Sequence, residues 1–329
     1  MDDEQEPNEL RDIRDVQPTA FRQIIGQEHV KKALEIAVEA SFAEQKRLDD
    51  ILLCGPPGLG KTGFVTVLQH ELGLPPSKVK TILAQSISNT AELNSVMLSA
   101  TEGLLFLDEL ALLSATIQHS LLKILDTRTI DINTGKTVTS IPVAPFTLVG
   151  ATTDLDGVIA PLIDRFRLVC HLDYFSDDEL AQIVKQRLGA MRWKYEPELL
   201  HEIARRSRQT PRIALRLLAS CRRWQVAEGS DVLTVDHLRR ACEVERISDQ
   251  GLDNMQQKLL YLLGSGPQRI GVLASMLGVS PKVLQKTVEP YLLRSGMVVK
   301  TDAGLRTLTE IGQRHLEDMR PASVRNSSS

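Results

Sequence analysis

Residues 51–62 read ILLCGPPGLGKT, an apolar run that ends in a loop matching GxxxxGK[ST] from Gly55 to Thr62. The stretch that follows, Gly63 to Leu72, reads as a helix. Strand, glycine-rich loop and helix in that order are what a phosphate-binding loop requires. Gly55, Gly58 and Gly60 allow tight turns that point backbone N–H groups inward, with Pro56, Pro57 and Leu59 between them and Gly63 just beyond. A nest of donors and a helix N-terminus then face one anion. Lys61 adds a mobile positive charge for the β and γ phosphates of a nucleoside triphosphate, and the Thr62 hydroxyl suits Mg²⁺. The bland alternative, a glycine-rich turn with a chance lysine, is disfavoured because every motif position is filled behind an apolar strand.

A chain of 329 residues exceeds the size at which one hydrophobic core keeps growing, so two or three domains are expected. No apolar run approaches a membrane span, and the start MDDEQEPNEL is unlike a signal or transit peptide, which predicts a cytoplasmic protein. Cys54, Cys170, Cys221 and Cys242 are far apart and form no CxxC pair, so they read as small buried hydrophobes. The net charge of −3 is unevenly spread: residues 1–16 hold seven acids against two arginines, leaving the remainder slightly positive. Such a start predicts a disordered tail over 1–17, and charge alone neither requires nor excludes a nucleic-acid partner.

Glu28 to Glu44 repeats apolar residues at helical spacing, and apolar strand-like runs follow at 79–83, 103–107 and 146–151, separated by helical patterns. Alternation of this kind predicts an α/β domain with a parallel sheet over residues 18–173. From Tyr174 the character changes. Ser176 with Glu179 reads as a capping box opening the helix Asp177 to Met191, and more helices follow without a convincing strand, which predicts a small all-α domain over 174–248. Residues 249–320 read as helix, helix pair around Gly278-Val279-Ser280, and a β-wing joined by Asp302-Ala303-Gly304: a winged-helix module. The polar end, 321–329, is expected to be disordered. The arginines between Arg205 and Arg223 are spread around their helices and read as solvated or paired, while Trp193 and Trp224 read as packing residues.

Two strand ends carry further chemistry. GLLFLDE, Gly103 to Glu109, closes in Asp108, placed to hold Mg²⁺, and Glu109, placed to orient and deprotonate water. Gly150-Ala151-Thr152-Thr153 offers Thr153 to the γ phosphate or the water; as ordinary strand residues both threonines need no such role. PLIDRF, Pro161 to Phe166, presents Arg165, a side chain suited to reach a γ phosphate from a neighbouring subunit. Thr210-Pro211-Arg212 opens a helix from which Arg212 can close on a nucleotide. For either arginine the plain alternative is a surface ion pair.

Assembled, these motifs resemble the AAA+ ATPases, and within them the RuvB family of Holliday-junction branch-migration motors, from about Pro18 to Leu316. The most specific stretches are IIGQ at 24–27, the phosphate loop, APFTLVGATT at 144–153, PLIDRF, TPRIALRLL at 210–218, GLD at 251–253 and EPYLLRSG at 289–296. The resemblance implies an AAA+ P-loop domain, a helical lid and a C-terminal winged helix, assembled as a homohexamer around duplex or four-way DNA, with ATP bound at subunit boundaries. By position it makes Lys61, Thr62, Asp108 and Glu109 the phosphate, Mg²⁺ and Walker B residues. Thr153 becomes sensor 1, Arg165 the finger and Arg212, beside Pro211, sensor 2. It places Val16, Gln17, Ile24 and Ile25 around the adenine, Phe175 beside the nucleotide, and Lys300 and Arg306 of the wing on DNA.

The chain departs from the family pattern at Leu110-Ala111-Leu112 after the acids, and at Gln17, Asp154 and Ile163 where the family has arginine. The hairpin 131–146, DINTGKTVTSIPVAPF, is shortened, which argues against a RuvA-like partner, and the thinned basic wing predicts weaker, less salt-sensitive DNA binding. Two readings compete: an ATP-driven DNA motor for branch migration in recombination and repair, or an AAA+ ATPase that remodels or loads a protein through its winged helix. A transcription-linked ATPase whose wing recognises sequence is a third, weaker reading.

Overall fold

Three short, largely apolar stretches each become a strand buried on both faces, as a parallel sheet demands. They are β1 (Ile51–Cys54), β3 (Leu104–Asp108) and β6 (Thr147–Thr152). The structure is a computed structural model that describes residues 16–100, 102–133 and 138–318. Most of the expected acidic tail, the hairpin tip 134–137 and the end 321–329 lie outside the described residues.

With β2 (Val79–Leu83) and β7 (Leu168–His171) the three strands form one five-stranded parallel sheet in the order β2-β3-β6-β1-β7. Strand β7 was not among the sequence expectations, because only four residues pair and one of them is His171. The helices α1 (Glu28–Ala43), α2 (Lys61–Glu71), α3 (Thr90–Ser99), α4 (Ala115–Thr127), α5 (Ala160–Ile163) and α6 (Asp177–Met191) accompany the sheet. On one side of it Leu93, Met97, Leu121 and Leu125 pack with Leu105, Leu107 and Leu148 in a single core. The hairpin β4 (Thr129–Asn133) and β5 (Val138–Pro142) is antiparallel, and its Asp131 accepts hydrogen bonds from Lys123 at 2.7 Å and Ser140 at 2.5 Å. The capping box expected at α6 is present: Glu179 N donates to Ser176 Oγ at 3.2 Å and Ser176 N to Glu179 Oε2 at 2.7 Å.

The chain packs as two units. One runs to Arg192 and takes in Gln209–Leu215; the other holds Trp193–Arg208 and the chain from Arg216 onward. In the second unit a two-residue parallel pair, β8 (Lys194–Tyr195) with β9 (Val232–Leu233), joins a region read from sequence as purely helical: α7 (Glu198–Arg206), α8 (Pro211–Ala227), which begins in the first unit, and α9 (Val235–Glu245). Its arginines are largely consumed by partners. Arg206 is buried and bonded to Glu202 and to Asp249 at 2.5 Å, Arg208 lies 3.0 Å from Asp253, and Arg222 sits over the Trp193 ring.

The winged helix follows: α10 (Asn254–Leu263), β10 (Gln268–Arg269), α11 (Ile270–Leu277), α12 (Pro281–Val283), a π-helical turn at Leu284–Val288, α13 (Glu289–Arg294), β11 (Val298–Lys300), β12 (Leu305–Leu308) and α14 (Glu310–Asp318). The π turn precedes Pro290, whose missing N–H removes an α-helical hydrogen bond at that point and makes a wider turn inexpensive. The sheet has three strands, in the order β10-β12-β11, where the sequence predicts a two-stranded wing.

One expectation is overturned here. Arg306 is not a surface cation for DNA: it is 6% exposed, and its Nε and Nη2 donate to the Glu289 carboxylate at 2.5 and 3.2 Å while Nη1 donates to Gly304 O. Along β12, alternation sends Leu308 and Arg306 inward, and the charge is neutralised by the buried Glu289. Glu289→Ala leaves the guanidinium buried without its counter-charge and is expected to cost roughly 3–5 kcal/mol; a denaturation midpoint equal to that of the parent chain would show that the pair is not structural.

Candidate nucleotide-binding site

The register of the central sheet decides which strand ends meet. Cys54 pairs with Thr152 and Leu107 with Gly150, so Gly55, the Asp108-Glu109 pair and Thr153 all leave the sheet at its carboxyl edge. That edge is where α/β sheets bind ligands. A cavity of about 410 Å³ opens there within the first unit.

From the phosphate loop, Pro57, Gly58, Leu59, Gly60, Lys61, Thr62 and Gly63 line it, whereas Gly55 and Pro56 do not. Gly58 has φ +86°, and a Cβ there would lie 2.9 Å from Arg212 Cβ; Arg212 N also donates to Gly58 O at 3.3 Å. Only glycine lets the loop and the Thr210-Pro211-Arg212 turn approach so closely. Lys61 is 7% exposed and its Nζ donates to Gly55 O at 2.6 Å and Pro56 O at 3.0 Å. Burial lowers its pKa, and the nearby Glu109 and Asp108 charges act against that shift. A buried cation at the N-terminus of α2, held by two loop carbonyls, marks a site that favours an anion.

Asp108 and Glu109 line the same cavity. Glu109 N donates to Asp108 Oδ1 at 3.1 Å, and Glu109 takes the left-handed conformation, φ 57°, which a non-glycine residue rarely adopts. Thr153 lies outside the cavity lining; its Oγ1 donates to Glu109 Oε2 at 2.8 Å. Arg165 is also outside. Its Nε lies 2.7 Å from Asp126 Oδ1 and its Nη2 donates to Leu125 O at 2.9 Å.

Of the other residues expected to bind the nucleotide, Gln17, Ile24, Ile25, Phe175, Pro211 and Arg212 line the cavity and Val16 does not. The segment carrying the isoleucines is tied down by Gln27, which donates to Asp173 O at 2.6 Å and accepts from Asp173 N at 3.0 Å. At Gly26, φ +69°, a Cβ would meet Glu179 Oε1 at 2.6 Å and Phe175 at 3.1 Å. Sequence reasoning missed Pro18, Gln23, Gln27, Phe64, Ile183, Gln186, Arg187 and Leu215, all of which line the cavity. Gln186 donates to Gln23 O at 2.8 Å, and burial lowers the pKa of Arg187. The IIGQ motif pointed to Gln27; Ile183, Gln186 and Arg187 repeat at helical spacing on α6, a pattern indistinguishable in sequence from ordinary packing. Thr62 and Asp108 are the candidate Mg²⁺ ligands. Among the described residues no three His, Cys, Asp or Glu side chains converge, so these two suit an ion that brings its other ligands from water and phosphate.

Comparison with known proteins covers the whole of this architecture. Residues 16–172 match the family described as Holliday junction DNA helicase RuvB P-loop domain, 175–248 the RuvB AAA lid domain and 249–317 the RuvB C-terminal winged helix domain. The chain is 35% identical over 304 residues to the Holliday junction branch migration complex subunit RuvB of Lactobacillus delbrueckii subsp. bulgaricus, spanning 90% of this chain and 89% of that one. It is 35% identical over 312 residues to the same subunit of Kosmotoga olearia, spanning 92% and 90%. The solved structure of the Thermotoga maritima RuvB Holliday junction branch migration motor superposes with a TM-score of 0.80 at 33% identity, over 93% of this chain and 99% of that one. A phosphate loop, strand-end acids, lid and winged helix in this order, matched end to end, mean that the chain belongs to the RuvB family of AAA+ ATPases.

Proposed function

We propose that this chain is an ATP-driven motor on DNA that acts at four-way junctions, in the manner that the names of its relatives describe. The span of the family match carries the reading: it continues past the ATPase core through the winged helix, to residue 317. A factor that only remodels proteins has no need of that last module in this form, and the protein-remodelling alternative rests on no feature of the described residues.

The family uses ATP, and the cavity residues divide the work. The loop N–H groups and Lys61 bind the phosphates; Ile24, Ile25 and Phe175 enclose the base. Thr62 and Asp108 would hold Mg²⁺, which would supply charge neutralisation at the phosphates. Glu109 orients the attacking water and accepts its proton, with Thr153, bonded to its carboxylate, setting its direction. Arg212 reaches the nucleotide from the lid side. Arg165, which lies outside its own chain's cavity, serves a neighbour's site, and that role requires a ring, a homohexamer in this reading. In this reading the domains keep the boundaries expected from sequence, 18–173, 174–248 and 249–320. No helix among the described residues is long and apolar enough to cross a membrane, in keeping with work on DNA in the cytoplasm. The shortened hairpin offers a RuvA-like partner a smaller docking element than the resemblance calls for.

Four experiments test this. ATPase rate is expected to rise with duplex or four-way DNA over the rate of the chain alone; a rate indifferent to every DNA added would sink the motor reading. Lys61→Ala is expected to abolish turnover. Glu109→Gln is expected to lower kcat by about 10²–10⁴-fold while ATP still binds; a variant that keeps the parent's kcat would remove Glu109 from the chemistry. Gln27→Ala, which frees the Ile24-Ile25 segment, is expected to raise KM for ATP about tenfold, equivalent to roughly 1.4 kcal/mol, with kcat little changed; an unaltered KM would show that the Asp173 clamp does not shape the base pocket.

A further inference from the structure

Gln118 of α4 is 1% exposed, and its amide is satisfied from both ends. Its Nε2 donates to Leu113 O and to Gly157 O, each at 2.9 Å, and its Oε1 accepts from Ile159 N at 2.8 Å. All three partners are backbone atoms, and a primary amide is the side chain that supplies two donors and an acceptor together. A core position that needed only volume would be filled by leucine or methionine, without the cost of burying a polar group.

The three partners belong to different parts of the catalytic edge. Leu113 closes the turn Leu110–Leu112, which follows Asp108 and Glu109 directly. Gly157 and Ile159 lie on the stretch that leads from Thr153 to α5, and Ile159 is the N-cap of that helix. Arg165 comes just after α5 ends. Four residues make a single turn, too short to hold a direction by its own hydrogen bonds, so the heading of the segment comes from what grips it. Helix α4 grips it twice. Gln118 holds Ile159 at the start; two turns further along α4, Leu125 O accepts from Arg165 Nη2 at 2.9 Å and Asp126 Oδ1 lies 2.7 Å from Arg165 Nε. Between these points Leu121 and Leu162, both fully buried, share one core.

The turn after the acids depends less on Gln118. It closes its own hydrogen bonds, Leu112 N to Glu109 O at 2.8 Å and Leu113 N to Leu110 O at 3.1 Å, and Leu110 is fully buried. Loss of the amide therefore falls mainly on Ile159 and α5.

We propose that Gln118 is a positioning residue for Arg165: it fixes the start of α5 against α4 so that the guanidinium is presented to the neighbouring subunit's nucleotide. This rests on the finger role given to Arg165 above. It adds that removing the Gln118 amide disables the neighbour's site and leaves the chain's own acids working.

The test follows ATP turnover by the full chain. Gln118→Met keeps the volume and removes the amide; it is expected to lower kcat about tenfold or more with KM for ATP unchanged, because Gln118 does not line the nucleotide cavity. Mixing variants then separates the two sites. Arg165→Ala keeps its acids and lacks a finger, whereas Glu109→Gln keeps a finger and lacks its base. A ring holding both sets an intact acid beside an intact finger, so the mixture is expected to turn over ATP several-fold faster than either variant alone. Gln118→Met mixed with Glu109→Gln should regain turnover in the same way. If Arg165→Ala and Glu109→Gln do not complement each other, the finger reading fails and this inference with it. If they do, and Gln118→Met keeps the parent's kcat, loses activity through KM, or gains nothing from Glu109→Gln, the proposal is overturned while the finger reading stands. Ile159→Pro serves where Gln118→Met does not fold: proline suits the φ of −64° at that position and removes the N–H from the same bond. The same loss of kcat and the same rescue are expected of it, and their absence overturns the proposal equally.

Discussion

The chemistry of this chain depends on the parallel pairing of three strands. Strand β6 lies between β3 and β1, and its register sets Thr152 against Cys54 and Gly150 against Leu107. The phosphate loop, the acid pair and Thr153 therefore emerge side by side although roughly a third of the chain separates the first from the last. Parallel strands need crossover connections, and the helices that make them cover both faces, so the strands must be apolar throughout. The same apolar runs that make the site possible make it visible in the sequence.

Around that edge the backbone is held in conformations that it would not choose locally. Glu109 and Gln27 both sit in the left-handed region, one aiming a carboxylate at the cavity and the other reaching Asp173 with both ends of its amide. Such residues cost of order 1–3 kcal/mol each and persist where surrounding contacts over-determine them. Lys61 presents the same logic in electrostatic form: burial works against its charge, and Asp108 and Glu109 work for it. The acids thus support the lysine as well as any metal.

In the second unit, charges are spent on holding structure. Arg206 meets Glu202 and Asp249, Arg208 meets Asp253 and Gln256, and Arg306 meets Glu289. A count of arginines would therefore overstate how much positive charge this region shows to a polyanion. What matters is the sign of what remains exposed.

The sequence by itself determined the phosphate loop, the strand-end acids, the capping box at Ser176 and the order of sheet, helices and wing, because each is written in local spacing: a fixed motif, an apolar run, a cap three residues from its partner. It also located the Ile24-Ile25 segment and Phe175, through a family resemblance, without saying how they are held. Only the tertiary structure decided the remaining matters. That Gln186 and Arg187 face the cavity, that Gln27 clamps Asp173, that Thr153 bonds Glu109 and that Arg306 is buried against Glu289 all follow from contacts between residues far apart in the chain. A lysine or arginine has the same side chain whether it meets solvent, phosphate or a buried carboxylate, and only the packing around it selects among the three.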